Sequence, residues 1–187
     1  SVHFRVDSDV LRRTLPAWCP QSPLTLTEVR RTVLNWLAPT SNDRVVELGC
    51  GIGTNTISVA RRCGEILGID RCRQAIRDAE HNLAIAEISN AEVRVGLAQK
   101  AVTRIQGRGA FDLGLCHGMR RPFGHRAMQG LSALKPRRIL FLCPSPSALA
   151  QDLSALTHYE MTRLGMIDQT PGAPTVLTAA LVERVGH

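Results

Sequence analysis

The chain has 187 residues, enough for one domain with a three-layer core. Its 44% hydrophobic and 21% charged residues describe a soluble globular protein, and no apolar run approaches the ~18 residues that a membrane helix needs. A net charge of +7 favours acidic partners, RNA first and an anionic membrane surface second, but four Phe, two Trp and one Tyr are too few for a single-strand stacking platform.

The six cysteines (Cys19, Cys50, Cys63, Cys72, Cys116 and Cys143) form no Cys-x-x-Cys pair, and most have apolar neighbours. This argues against zinc or a disulfide framework and for an intracellular reducing compartment, cytoplasmic or mitochondrial. His81, His125 and His158 show no metal-ligand spacing, so no metal is expected. No signal-peptide pattern opens the chain, and Ser1 in place of Met is compatible with a processed product or an excised domain.

Residues 1–24 read as an irregular lead-in, with Pro16, Pro20 and Pro23 opposing a helix. The domain proper is expected over 25–187. Leu26, Val29, Val33, Leu34 and Leu37 recur at helical spacing from Thr25 to Leu37, and Pro39 closes that helix. Strands are then predicted at Val45–Leu48, Ile66–Ile69, Val93–Val95, Phe111–Cys116 and Ile139–Leu142. Helical segments separate them, clearest from Cys72 to Ile88, where Ala75, Ile76, Ala79, Leu83 and Ala86 share a face. Such alternation implies a parallel sheet covered on both sides. Met161–Ile167 and Val176–Val185 are strand-like runs joined without a helix, so they must pair antiparallel. A mostly parallel, doubly wound sheet with a C-terminal antiparallel hairpin is the Rossmann-like α/β three-layer layout of class I S-adenosylmethionine-dependent methyltransferases.

The strongest motif is Glu47-Leu48-Gly49-Cys50-Gly51-Ile52-Gly53-Thr54, placed between a strand and a helix. Glycines let the backbone turn tightly and approach a ligand. A dinucleotide loop more often reads Gly-x-Gly-x-x-Gly and holds a pyrophosphate on a helix N-terminus. S-adenosylmethionine carries a sulfonium and an amino-acid head instead, which makes the acid Glu47 useful. Asp70 ends the next strand, where an acid accepts both ribose hydroxyls of an adenosine. Glu47, Gly49, Gly51, Gly53, Thr54 and Asp70 are therefore the expected site for S-adenosyl-L-methionine. The competing structural reading is a tight strand–helix turn, with Asp70 capping the helix near Cys72.

From Phe4 to Val185 the chain resembles the catalytic domain of the RNA uridine-C5 methyltransferases, which make 5-methyluridine in tRNA and ribosomal RNA. The carriers are Val45–Gly53, Phe111–Leu115, Pro136–Leu142, Pro146–Leu153 and Arg163–Asp168, of which Pro136–Leu153 is the most family-specific. The upstream RNA-binding domain common in that family is not in this sequence. The resemblance implies a cysteine thiolate that adds to uracil C6 and a carboxylate that removes the C5 proton. Aligned on Pro146, the nucleophile's turn reads Cys143-Pro144-Ser145-Pro146, so Pro144 holds its place and Cys143 falls one residue early, on the opposite strand face. The proton-abstracting Glu aligns with Leu177, and the Asp-Pro-Pro-Arg turn reads His117-Gly118-Met119-Arg120. The Gln of an early Phe-x-Gln element is lost near Trp18-Cys19-Pro20, and no acid or amide follows the third strand at Gly96-Leu97-Ala98.

Cys143 and His117 are the remaining catalytic candidates, each with an alternative reading as a core thiol or a structural histidine. Arg120 and Arg121, with Arg137 and Arg138, are candidate phosphate contacts for RNA, against a merely solvated face. Two functions follow. One is a non-catalytic RNA- or ribonucleoprotein-associated descendant that still binds S-adenosylmethionine. The other is an active methyltransferase with altered chemistry, acting on an atom already nucleophilic enough to need no covalent activation. A nicotinamide-dependent oxidoreductase is disfavoured by the glycine spacing and the terminal hairpin.

Overall fold

The structure, a computed structural model, describes residues 23–118, 120–168 and 176–186. The lead-in over 1–22 and the loop between the last two strands (169–175) lie outside the described residues.

The first helix, α1, spans Pro23–Thr32 and starts two residues before the expected Thr25. Proline suits a first helical turn, whose N–H groups have no intrahelical partner. The helix widens into a π-helical turn at Val33–Leu37, keeping Val33 and Leu37 buried, and leaves through left-handed Ala38 before Pro39. Strands β1 (Arg44–Leu48), β2 (Glu65–Asp70), β3 (Ala91–Val95), β4 (Leu113–His117) and β5 (Arg138–Cys143) then alternate with α2 (Thr54–Ala60), α3 (Arg73–Ile85), α4 (Ala98–Ile105) and α5 (His125–Ala133). After α6 (Pro146–Leu153) come β6 (Tyr159–Ile167) and β7 (Leu177–Arg184). Expected β4 shifts by up to two residues, because Phe111 packs in the core ahead of the ladder that pairs Val45 with Leu113.

The seven strands order as β3-β2-β1-β4-β5-β7-β6. All pairs among β1 to β5 are parallel, while β7 runs antiparallel to both β5 and β6. This is the expected doubly wound sheet with its antiparallel hairpin. Strand side chains alternate between faces, and two cores result. Val46, Leu48, Cys116, Phe141 and Cys143 pack against Val102 of α4, Met128 and Leu131 of α5 and Leu149 of α6. Val45, Leu115, Leu140 and Leu142 pack against Val33 and Leu37 after α1 and Val59 and Ala60 of α2. Ala79 and Leu83 of α3 close a smaller core with Ile57 of α2 and Val93 of β3. Strand order reverses between β1 and β4, and the crevice at their carboxyl ends is where open α/β sheets bind ligands.

Candidate functional site

That crevice holds the glycine loop. Gly49 directly follows β1 with φ of 78°, a left-handed conformation, and a Cβ there would stand 2.3 Å from the carbonyl oxygen of His117 at the end of β4. Only glycine allows the two strand ends to approach so closely. Gly51 also has positive φ, 55°, but a Cβ on it would meet nothing within 4 Å. The loop therefore leans on β4 at Gly49 and lies open at Gly51. Gly53 caps α2, and Thr54 opens that helix with its carbonyl accepting a hydrogen bond from Ser58.

Asp70, the last residue of β2, joins both halves of the motif. Its Oδ2 accepts the Gly51 N–H at 3.0 Å, and its Oδ1 accepts the Cys72 N–H at 2.8 Å ahead of α3. The helix-capping role and the loop-holding role thus coexist in one half-exposed carboxylate. A carboxylate oxygen has two lone pairs, so acceptor capacity remains for a ligand.

Glu47 is fully buried on β1 beneath the loop. Its Oε2 accepts from Thr56 Oγ1 of α2 at 2.6 Å, while Oε1 has no partner. Burial pushes its pKa up to about 7, the Thr56 hydrogen bond opposes that shift, and the nearby Asp70 charge adds to it. Thr56 was not among the sequence candidates; a hydroxyl nine residues from the acid carries no local signal. Asn82 was also missed. It is buried on α3 and its Nδ2 donates to Ile52 O at 2.9 Å, bracing the loop from behind. Its signal was available, since Asp78 and Asn82 are polar residues one turn apart on the helix's apolar face.

The structure places both remaining catalytic candidates beside this crevice. His117 ends β4 with Nδ1 3.4 Å from Asn55 Nδ2, and burial lowers its pKa although Asp70 works the other way. Its ring is therefore neutral at physiological pH. Cys143 ends β5, buried in the same core as Phe141 and Cys116, with its Sγ donating to Ser145 O at 3.3 Å. Burial raises its pKa, so the thiol form prevails. A Cβ built on Gly118 would lie 3.4 Å from that sulfur, so the two strand ends adjoin. Asp152 of α6, another residue the sequence did not single out, accepts the N–H groups of Phe123 and Gly124 at 3.0 and 2.9 Å and fixes the loop that enters α5.

The four arginines do not share one track. Arg120 and Arg121 are exposed after β4, at the crevice end of the sheet. Arg137 and Arg138 stand where β5 begins, at the other end of a parallel ladder roughly 20 Å long. Both hold carboxylates: Arg137 grips buried Asp43 at 2.7 and 3.0 Å, and Arg138 pairs with Glu183 at 2.8 Å. Among the described residues no group of three or more His, Cys, Asp or Glu is placed to hold a metal ion, and no helix is long and apolar enough to cross a membrane.

A family model of methyltransferase domains matches residues 39–167, from the end of the first helix through β6. The chain belongs to the methyltransferase-domain family. Among its curated relatives, the 23S rRNA (uracil(1939)-C(5))-methyltransferase RlmD of Aeromonas hydrophila is 32% identical over 154 residues, covering 81% of this chain and 35% of that protein. The RlmD of Vibrio campbellii is 29% identical with the same coverage. The chain thus spans about a third of the length of these curated relatives. Among solved structures, the Pyrococcus abyssi tRNA (uracil-54, C5)-methyltransferase, crystallised with S-adenosyl-L-homocysteine, superposes with a TM-score of 0.73 at 23% identity, over 84% of this chain and 38% of that one. The methyltransferase fold expected from the strand order is the one found, and the similarity to uracil-C5 methyltransferases read from Pro136–Leu153 extends through these relatives.

Proposed function

We propose that this methyltransferase domain binds S-adenosylmethionine over the Gly49–Gly53 loop and associates with RNA, without performing the covalent C5 chemistry of the enzymes it resembles. The residues present fit that cofactor. Gly51 leaves open space where a side chain would stand, Asp70 keeps unused lone pairs beside it, and Glu47 has a buried oxygen without a donor. Asp70 would hold the ribose hydroxyls, and the loop backbone with Glu47 would face the cationic amino-acid end. When bound, the cofactor supplies an electrophilic methyl group.

A contrast between neighbouring strand ends carries the reading. β1 and β2 end in a loop and a carboxylate held together by hydrogen bonds. β4 and β5 end in His117 and Cys143, which supply neither a carboxylate nor an accessible thiolate. Addition to uracil C6 needs the thiolate, and an apolar surrounding keeps Cys143 protonated. The relatives' names and the positive charge of this chain support RNA as the partner.

Calorimetric titration of S-adenosylmethionine tests the cofactor half: micromolar binding, weakened about 100-fold in Asp70→Ala, is expected, consistent with loss of a charge-assisted pair. Absence of binding overturns it. Tritium release from RNA carrying 5-tritiated uridine tests the other half, and none is expected; release abolished by Cys143→Ala overturns it. One observation favours a second reading, methyl transfer to an already nucleophilic nitrogen or oxygen: a neutral imidazole at the end of β4, suited to accept a proton. Methyl incorporation lost in His117→Gln would select that reading.

A further inference from the structure

An open hollow lies away from the glycine loop, between α4 and α5. It is a furrow of about 650 Å³ lined by Gln99, Lys100, Thr103, Arg104, Gln106, Arg126 and Gln129. A second hollow of about 410 Å³ adjoins it across α5, sharing Gln129, with His125, Lys135, His158 and Arg184 in its wall. The geometry points to this furrow as a docking track for the phosphodiester backbone of RNA, an inference that rests on the RNA-associated reading above.

Charge distribution supports it first. From Val93 to Gln151 the chain holds ten Lys and Arg and a single acid, Asp112, an excess larger than the net +7 of the whole protein. All of the chain's net positive charge therefore sits in the stretch that builds α4, α5 and their flanking loops. Asp112 is occupied at the far end of the sheet, accepting the Arg44 N–H at 2.8 Å. Four of the ten cations are paired, Arg94 and Arg108 with Glu92, Arg137 with Asp43 and Arg138 with Glu183. Lys100, Arg104 and Arg126 line the furrow and have no ion pair among the described residues.

Geometry supports it next. Lys100 and Arg104 are four residues apart on α4, so both project from one face about one turn apart. Gly130 lets α5 close onto α4: a Cβ there would fall 2.3 Å from Val102 Cγ2. The two helices meet at their base and leave a channel between their polar flanks. Gln99, Thr103, Gln106 and Gln129 add amide and hydroxyl groups, the donors and acceptors that phosphate oxygens and a ribose 2′-hydroxyl require. Among the described residues no aromatic side chain lines the channel, which suits it to backbone more than to stacked bases. Both helices start at the carboxyl ends of the strands, α4 just after β3 and α5 just after the loop carrying Arg120 and Arg121. A strand lying in the furrow leads to the cofactor crevice. An acidic polypeptide shares the charge but makes little use of the hydroxyl-matching amides.

The test measures binding of a fluorescent single-stranded RNA 12-mer to the full chain by anisotropy across a salt series. The charge-reversal variant Lys100→Glu/Arg104→Glu/Arg126→Glu is compared with a control on other faces, Arg62→Glu/Arg163→Glu. Thermal melting and S-adenosylmethionine titration show that each variant is folded. The furrow variant should bind RNA at least tenfold more weakly, and its milder partner Lys100→Gln/Arg104→Gln/Arg126→Gln should lower the salt slope by about 2, from ~0.7 per phosphate contact on a single strand. The control should lose less than threefold. If wild type binds RNA and the furrow variants bind equally well, the furrow is excluded while RNA association stands. If wild type binds no RNA, both fall, and binding of polyglutamate lost in the furrow variant would assign the channel to an acidic protein instead.

Discussion

The two halves of the crevice are built on different principles. On the β1–β2 side the site is made of backbone: Gly49 and Gly51 shape it, and Asp70 ties the loop to the start of α3 through two N–H groups. On the β4–β5 side it is made of side chains, His117 and Cys143, each settled into protein neighbours. A backbone-built half is tied to the chain path that makes the fold, so it persists while the fold does. A side-chain half can change chemistry without disturbing the sheet, because β4 and β5 pair through their main chains whatever their last residues are.

Substitutions can break that comparison, and the largest effect is expected at the backbone. Gly49→Ala places a methyl group against the His117 carbonyl at a left-handed φ, so chemical denaturation should show a loss of about 3 kcal/mol or more. A loss below 1 kcal/mol would mean that the two strand ends are not locked together.

Glu47 supplies the next effect. Its folded pKa of about 7 lies above the ordinary 4.5, so the native state holds the proton more tightly than the unfolded chain. The associated stability is complete below about pH 4.5 and is lost as pH rises through 7, by an order of ~3 kcal/mol in all. Glu47→Gln should remove this dependence, leaving the apo variant nearer its pH 5 stability at pH 8 while weakening cofactor binding. Parallel stability–pH curves for the two proteins would contradict the buried, unpaired carboxylate.

Cys143→Ala should produce the smallest change, about 1 kcal/mol, as expected for deleting one buried sulfur atom. In the native wild type its thiol should resist alkylation at pH 8 over the time in which exposed Cys72 is fully modified, with peptide mass mapping as the readout. Alkylation of Cys143 as fast as Cys72 would make it an accessible nucleophile and erase the contrast between the two halves.

Much of this was legible in the sequence because it depends on local order. Apolar runs of strand length separated by helical spacing located every strand of the sheet, and two such runs without an intervening helix had to form the terminal hairpin. The glycine spacing and the acid at the end of β2 marked the crevice, because loop shape is set by residues adjacent in the chain. What was misread involved distance. Arg120 and Arg137 are seventeen residues apart and both basic, yet they stand at opposite ends of the ladder, and Arg137 answers Asp43 from 94 positions away. Thr56, Asn82 and Asp152 matter through partners on other elements, and no window of sequence contains both members of such a pair. The sequence by itself determined the strand order's ingredients, the glycine loop and the concentration of positive charge between Val93 and Gln151. Only tertiary structure decided which cations are spent on carboxylates and which line a channel, because ion pairing depends on where the sheet carries each side chain.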